Sequence, residues 1–264
     1  MSGSSGSPAG FGRRCVLVLI RKEWRQALRD TSALVPVVLF PLLFSIILPG
    51  AAVGLIAHSA SSETRIHGLE PFLDLVASVS GAGMGPQQLL VTAVVTYVFA
   101  PLILIIPVIV ATAGATAAFV GERERGTLEG LLYGPITVRE LFLAKTLASV
   151  IPAVLLTWAS FLGFSVVANA AAWPVMRGIV FPDVTVLVLV PLIAFLVISV
   201  IVGVSNRAKS VQSAQGIAVF FILPLVGMIV SQIAGALLFD WRVVALLGGV
   251  LAVLCVIAYL LVAR

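Results

Sequence analysis

GERERGTLEGLLYGPITVRELFLAK, residues 121–145, is a polar interruption between two long apolar stretches. The charged run Glu122–Arg125 must be hydrated, and Gly121 can end the helix before it. Gly126-Thr127 then offers a cap for a short helix that Gly134-Pro135 stops. Thr137–Glu140 is a capping-box pattern that begins the next apolar helix. These signals predict a two-turn helix held between two long helices. Because it connects them, we call Gly121–Lys145 the connector.

The composition around the connector is that of an integral membrane protein. Hydrophobic residues make up 61% of the 264-residue chain, charged residues 10%, and the mean hydropathy is +1.19. A bilayer core of about 30 Å needs roughly 20 apolar residues per helix, so the chain has room for about six spans. The net charge of +5 is explained by orientation in the membrane and by anionic lipid, which makes nucleic-acid binding a poor interpretation.

The sequence therefore predicts an all-α membrane protein with a single transmembrane domain, 13–264, behind a disordered Gly/Ser tail, 1–12. An amphipathic interfacial helix is expected at 13–30, with Trp24 on its apolar side and four basic residues, Arg21, Lys22, Arg25 and Arg29, on the other. These five residues are the predicted membrane-surface residues. Six spans are expected at about 33–57, 89–120, 141–170, 183–204, 215–239 and 243–263.

Three local patterns refine the spans. Pro36, Pro41 and Pro49 predict bends in the first span, because proline removes helix hydrogen bonds. Between the first two spans, Glu70-Pro71 begins a weakly amphipathic stretch that predicts a short surface helix. Small residues share one face near the end of the second span and predict close approach of another helix: Ala111, Gly114, Ala115 and Ala118.

The distribution of basic residues predicts the orientation. Of the 16 Lys and Arg residues, 13 fall on the side of the connector and of both termini, and the other three are Arg65, Arg177 and Arg242. By the positive-inside rule, the connector and both termini face the cytoplasm.

The polar residues inside the spans bear on mechanism. The sequence places no Asp, Glu, His or Arg near mid-bilayer, where an ion-driven carrier usually has its site, and no set of clustered catalytic or metal-binding residues. Cys15 and Cys255 are not expected to pair. GVSNRAKS at 203–210 approaches a phosphate-loop pattern but follows a transmembrane helix, so we reject ATP binding there. Candidate pathway residues are Thr96, Tyr97, Thr157, Asn169 and Gln232.

Spacing alone leaves two interpretations of the connector about equal: a solvated loop that fixes topology, or a rigid element that transmits force. The connector closely resembles the signature of ATP-binding-cassette exporter permeases of the second type, in which Glu-Arg-Gly-Thr-Leu-Glu and Pro-Ile lead into a Lys-bearing helix. The resemblance extends to RKEWRQALRD at 21–30 and to NRAKSVQSAQ at 206–215, and it covers most of the chain.

The resemblance implies a permease subunit in the cell inner membrane that exports a substrate and has no catalytic residues of its own. It implies a second permease subunit, as a homodimer or heterodimer, and two copies of a separate ATPase that binds ATP and Mg. The element after the second span would be a coupling helix seated on that ATPase. The coupling residues would be Glu122, Arg123, Glu124, Arg125, Gly126, Thr127, Leu128 and Glu129.

The substrate is not identified by the resemblance, because the segments that differ among such permeases are short here: 58–88 is modest and 240–242 is a tight turn. The absence of a buried charge in the spans fits an apolar, lipid-like or drug-like substrate better than a strongly charged solute. The alternative from another class is a stand-alone membrane protein, either a secondary carrier or an intramembrane enzyme.

Overall fold

The computed structural model describes residues 31–58, 69–80, 83–121, 138–176, 186–205, 216–234 and 241–262. Within these ranges the protein is helical and contains no strand, which confirms the all-α class. The tail 1–12, the interfacial helix 13–30 and the coupling residues Glu122–Glu129 lie outside the described residues, so these stay predictions.

We number the described helices in chain order. Helix α1 comprises Thr31–Leu42, a π-helical turn at Leu43–Ile47, and Leu48–His58. Helix α2 is Glu70–Ser80. Helix α3 spans Pro86–Gly121 and is built from the segments Pro86–Ala93, Val94–Phe99, Ala100–Leu102, Ile105–Ala115 and Thr116–Gly121. Helices α4 to α7 are Val138–Ala172, Val186–Ser205, Ile217–Ile233 and Trp241–Val262.

Three of these helices are long and apolar enough to cross a membrane: Val37–His58, Pro86–Gly121 and Lys145–Ala172. Shorter apolar helices follow at Leu187–Gly203, Ala218–Ile233 and Arg242–Ala258. Each predicted span therefore coincides with an apolar helix, and the number of six crossings remains a prediction.

Prolines change the hydrogen-bond ladder of α1 and α3. In α1, the Leu48 N–H bonds to the carbonyl of Leu43, five residues back, just before Pro49, which has no N–H to donate. In α3, Pro107 likewise cannot donate to the Ile103 carbonyl, which accepts the N–H of Ile106 at 3.0 Å instead. The ladder therefore widens to a five-residue bond before Pro49 in α1 and tightens to a three-residue bond before Pro107 in α3. The bends predicted for the first span stay predictions.

Helix α3 is the centre of the bundle. It packs against α1, α4, α5 and α6, while α7 packs mainly on α5. In the most apolar 18 residues of α3, 67% of the residues are buried inside the protein. The corresponding fractions are 22% in α1 and 28% in α4. The main hydrophobic core consequently lies along α3, with Val91, Ile103, Ile106 and Val108 fully buried.

Helix α2 packs on the outside of this core. Its residues Phe72 and Val76 are buried against Ala93 and Tyr97 of α3 in a second, smaller cluster. The Phe72 and Tyr97 rings meet edge to face with centroids 6.4 Å apart, a favourable aromatic geometry. The predicted surface helix is confirmed, and Gly83, at φ 135°, occupies in the turn after it a conformation that favours glycine.

Candidate functional site

The structure describes the two ends of the connector, Gly121 as the last residue of α3 and Val138–Lys145 as the first turns of α4. The two helices pack against each other and run antiparallel, so the connector joins the two arms of a helical hairpin. We call this pair the α3–α4 hairpin, and the end that carries Gly121 the connector end.

Lys145 joins the two helices at the connector end. Its side chain is only 1% exposed, and its Nζ donates a hydrogen bond of 2.6 Å to the carbonyl of Ala118 on α3. The same Nζ lies 5.5 Å from the centroid of the Phe119 ring, within the range of a cation–π contact. Among the side chains whose burial the structure describes, Lys145 is the one buried basic residue.

The acceptor of this bond lies in a π-helical segment, Thr116–Gly121. Two threonine hydroxyls at and before the start of this segment bond to backbone carbonyls of the same helix. Thr116 Oγ1 donates to the Thr112 carbonyl at 2.8 Å, and Thr112 Oγ1 donates to the Val108 carbonyl at 2.6 Å. Wide turns of this kind are rare and often occur at functional sites. The Lys145 amino group supplies a donor to a carbonyl within the wide turn.

The two arms of the hairpin approach closely one helical turn from this bond. A Cβ placed on Gly114 would lie 3.2 Å from the Cβ of Ser149, closer than most side chains tolerate, so glycine permits the approach. Ala111, Ala115 and Ala118 are buried alongside. The close approach of another helix predicted near the end of the second span is therefore confirmed at Gly114, and the approaching helix is α4.

The opposite end of the hairpin carries a second polar bond between the two arms. Gln88 Nε2 donates to the carbonyl of Val175, just beyond α4, at 3.1 Å. Between the two ends, the rings of Phe99 and Phe164 pack with centroids 6.3 Å apart. The hairpin is thus joined by hydrogen bonds near both ends and by ring packing between them.

Comparison with models of protein families identifies the family of the chain. The model of the ABC-2 family transporter protein matches residues 17–240, which includes the hairpin and the connector. The chain belongs to the ABC-2 family. Comparisons with curated proteins and with solved structures gave no match.

Family membership, together with the apolar helices, makes the chain a multi-pass membrane protein with the role of an ABC permease. A permease of this family is a transport subunit, generally not catalytic itself, and it is implied to pair with an ABC ATPase subunit. Among the described residues, no group of three His, Cys, Asp or Glu side chains is placed to hold a metal ion.

Two sets of predicted site residues are outside the described part of the permease. These are the coupling residues Glu122–Glu129 and the membrane-surface residues Arg21, Lys22, Trp24, Arg25 and Arg29. Their roles stay predictions.

The candidate pathway residues are on α3, α4 and α6. Tyr97 packs against Phe72 of α2, Thr157 Oγ1 donates to the Ala153 carbonyl at 2.6 Å, and Asn169 Nδ2 donates to the Ser165 carbonyl at 2.7 Å. Thr96 is half-buried, and Gln232 is 1% exposed. Tyr97 thus has a packing role and two of the others bond within their own helix, while a role in transport stays a prediction.

Sequence reasoning did not single out Lys145 as a site residue, although a signal was present. Lys145 shares a helical face with Ala148, Ser149 and Ala153 at spacings of three, four and eight residues, and all four are buried. A lysine in register with the buried face of a helix indicates a partner inside the bundle.

Proposed function

We propose that the protein is the permease subunit of an ATP-driven exporter in the cell inner membrane. The connector faces the cytoplasm, as do both termini, and it seats on a separate ATPase subunit. Closure of that ATPase on ATP displaces the connector, and the displacement opens a pathway between the helices of this subunit and those of a second permease subunit.

The observation that carries this proposal is the position of α3. This helix leads directly into the connector, is the most buried of the three long helices, and contacts α1, α4, α5 and α6. A displacement of the connector therefore acts on the helix that touches most of the bundle. A loop that served only to fix topology would have no need of such an attachment.

The lengths of the hairpin helices also support a coupling role. Helix α3 has 36 residues and α4 has 35, so at 1.5 Å per residue each is about 50 Å long. Even at a tilt of about 40°, the upper end of the observed range, such a helix covers about 40 Å along the membrane normal, against a hydrocarbon core of about 30 Å. Part of each helix must therefore extend beyond the core, which leaves room for the connector to stand clear of the lipid.

Specific residues have distinct tasks in this proposal. Glu122–Glu129 form the contact with the ATPase, whose two copies bind ATP and Mg. The helix that carries the membrane-surface residues Arg21, Lys22, Trp24, Arg25 and Arg29 rests on the inner leaflet, where its basic side chains bind anionic headgroups.

The substrate we propose is apolar, lipid-like or drug-like. Among the described residues, the buried polar side chains include hydroxyls that bond to carbonyls of their own helix, as Thr112 and Thr157 do. In this part of the chain no carboxylate is buried, and the one buried cation, Lys145, lies at the connector end, where it donates to the Ala118 carbonyl. A strongly charged solute would require compensating charges along its path. This chemistry favours a substrate that needs few polar partners.

The test is purification of the native complex, followed by measurement of ATP hydrolysis in nanodiscs. We expect an ATPase chain to co-purify, and we expect Leu128→Asp to weaken its retention and Glu124→Ala to reduce permease-dependent stimulation of hydrolysis. The matched control is Asp74→Ala, which removes an exposed carboxylate on α2, away from the connector. A purified permease without an ATPase chain, and connector variants that behave like the Asp74 control, would instead indicate a stand-alone carrier.

A further inference from the structure

We propose that Lys145 is a positioning residue that fixes α4 to the last described turn of α3, so that the α3–α4 hairpin moves as one rigid unit when the connector is displaced. The inference rests on the proposed function, because it assigns to Lys145 a part in carrying the motion of the connector into the bundle.

The first argument is the cost of burying a lysine. A side chain at 1% exposure that served only to fill space would be more stable as leucine or methionine, since taking an amino group out of water is unfavourable. The hydrogen bond to Ala118 at 2.6 Å offsets that cost and is directional. Lysine therefore contributes a defined distance and orientation between two helices, which apolar packing alone specifies less strictly.

The second argument is the position of the bond. Ala118 lies three residues before Gly121, and Lys145 is in the eighth position of α4, so the bond joins the two arms near the points where the connector is attached. The carbonyl groups toward the C-terminal end of a helix carry a partial negative charge, which favours a cationic donor. A force applied to the connector consequently meets two arms that are already joined.

The third argument is that the hairpin has further points of contact. The close approach of Gly114 to Ser149 lies about one helical turn from Lys145, and the bond from Gln88 to the Val175 carbonyl lies at the opposite end. Two helices joined near both ends do not slide or separate easily. Displacement of the connector end is therefore accompanied by displacement of the opposite end.

The geometry also provides a way to replace the lysine bond by a covalent one. The Cβ positions of residues 114 and 149 would be 3.2 Å apart. A disulfide has a Cβ–Cβ distance of about 3.8 Å, so a movement of about 0.6 Å accommodates the bond. The double variant Gly114→Cys/Ser149→Cys, made in a Cys15→Ser/Cys255→Ala background, joins α3 to α4 when oxidised and releases them when reduced.

The experiment uses the permease–ATPase complex in nanodiscs of phosphatidylethanolamine and phosphatidylglycerol. Deuterium uptake of residues 86–99, at the far end of α3 from the connector, is compared with and without ATP and vanadate. The variants are Lys145→Met, which removes the donor, Lys145→Arg, which keeps it, and Thr146→Val, a control at the neighbouring buried position. No knowledge of the substrate is needed.

We expect Lys145→Met to reduce the nucleotide-dependent difference in uptake about twofold to thirtyfold, the range of contributions along coupled contacts. Lys145→Arg and Thr146→Val should retain the difference. Oxidation of the 114–149 cysteine pair should leave the difference intact in the lysine-containing chain and restore it in Lys145→Met. Restoration by a bond at a different position is not explained by a loss of folding.

Two results would overturn the inference while leaving the proposed function in place. One is a full nucleotide-dependent difference in Lys145→Met. The other is loss of the difference on oxidation of the cysteine pair in the lysine-containing chain, since the arms would then have to separate during the cycle. If Lys145→Met does not fold, the oxidised pair with Lys145 present still tests the proposal, because loss of the difference on oxidation overturns it. A complex whose wild-type permease shows no response to nucleotide contradicts the proposed function, and the inference with it.

Discussion

Replacing Phe72 by alanine should detach α2 from the bundle without unfolding the bundle. Phe72 is 1% exposed and, with Val76, forms the contact of α2 with Ala93 and Tyr97. Truncation of a buried phenylalanine costs about 3 kcal/mol or more, which is about a hundredfold in an opening equilibrium. An 11-residue helix is marginal by itself in water, so α2 depends on this packing. We expect α2 to open as a local unit.

Hydrogen exchange followed by mass spectrometry measures this opening. In Phe72→Ala the amides of residues 70–80 should exchange about a hundredfold faster, whereas those of 105–115 in the buried half of α3 should be unchanged. The matched control is Val79→Ala, a truncation on the same helix at a side chain that is 61% exposed, for which we expect no more than a slight change. Equal exchange of 70–80 in the two variants would refute the assignment of Phe72 as the anchor of α2.

Three further variants test packing by their thermal unfolding midpoints. Gly50→Ala places a Cβ 3.0 Å from Val167 Cγ1 and should destabilise the protein by about 1–3 kcal/mol. Adding Val167→Ala should restore most of the lost stability, and no recovery would contradict the contact. Thr146→Val removes a buried hydroxyl without a hydrogen-bond partner and should be neutral or stabilising by about 1 kcal/mol; a clear loss would show that the hydroxyl has a partner. Cys255→Ala removes the thiol bond to the Leu192 carbonyl at 3.3 Å and should lower stability by about 1 kcal/mol; an unchanged midpoint would exclude that bond as a contributor.

The long apolar helices were predictable because a membrane makes composition decisive. Apolar runs of this length have to be helical, since the bilayer leaves no other way to satisfy the backbone. The boundaries were less predictable: the second span was expected at 89–120 and the structure gives Pro86–Gly121. Gln87 and Gln88 are polar and seemed to lie outside the span, yet Gln88 belongs to its first turn, where its Oε1 accepts the N–H of Gly85 at 3.1 Å.

Features that depend on contacts between helices were only partly predictable. The small-residue face around Gly114 indicated close approach but not the partner, because small residues specify a distance and not an identity. For Tyr97 the sequence left the role of the side chain open. A tyrosine in the middle of an apolar run is compatible with a pathway and with a packing cluster. The position of Phe72 on a separate helix shows the packing, and a role in transport stays a prediction.

The connector and the lysine together show why sequence spacing left two interpretations open. A solvated loop and a coupling element have the same charges, caps and glycines, because both must leave one helix and begin another. They differ in how the flanking helices are held. In this protein those helices are joined by Lys145 and Ala118 across a sequence separation of 27 residues, and α3 is the most buried of the long helices. A loop that only fixes topology would work equally well between loosely packed helices, so the attachment of the connector, more than its own sequence, favours a coupling role.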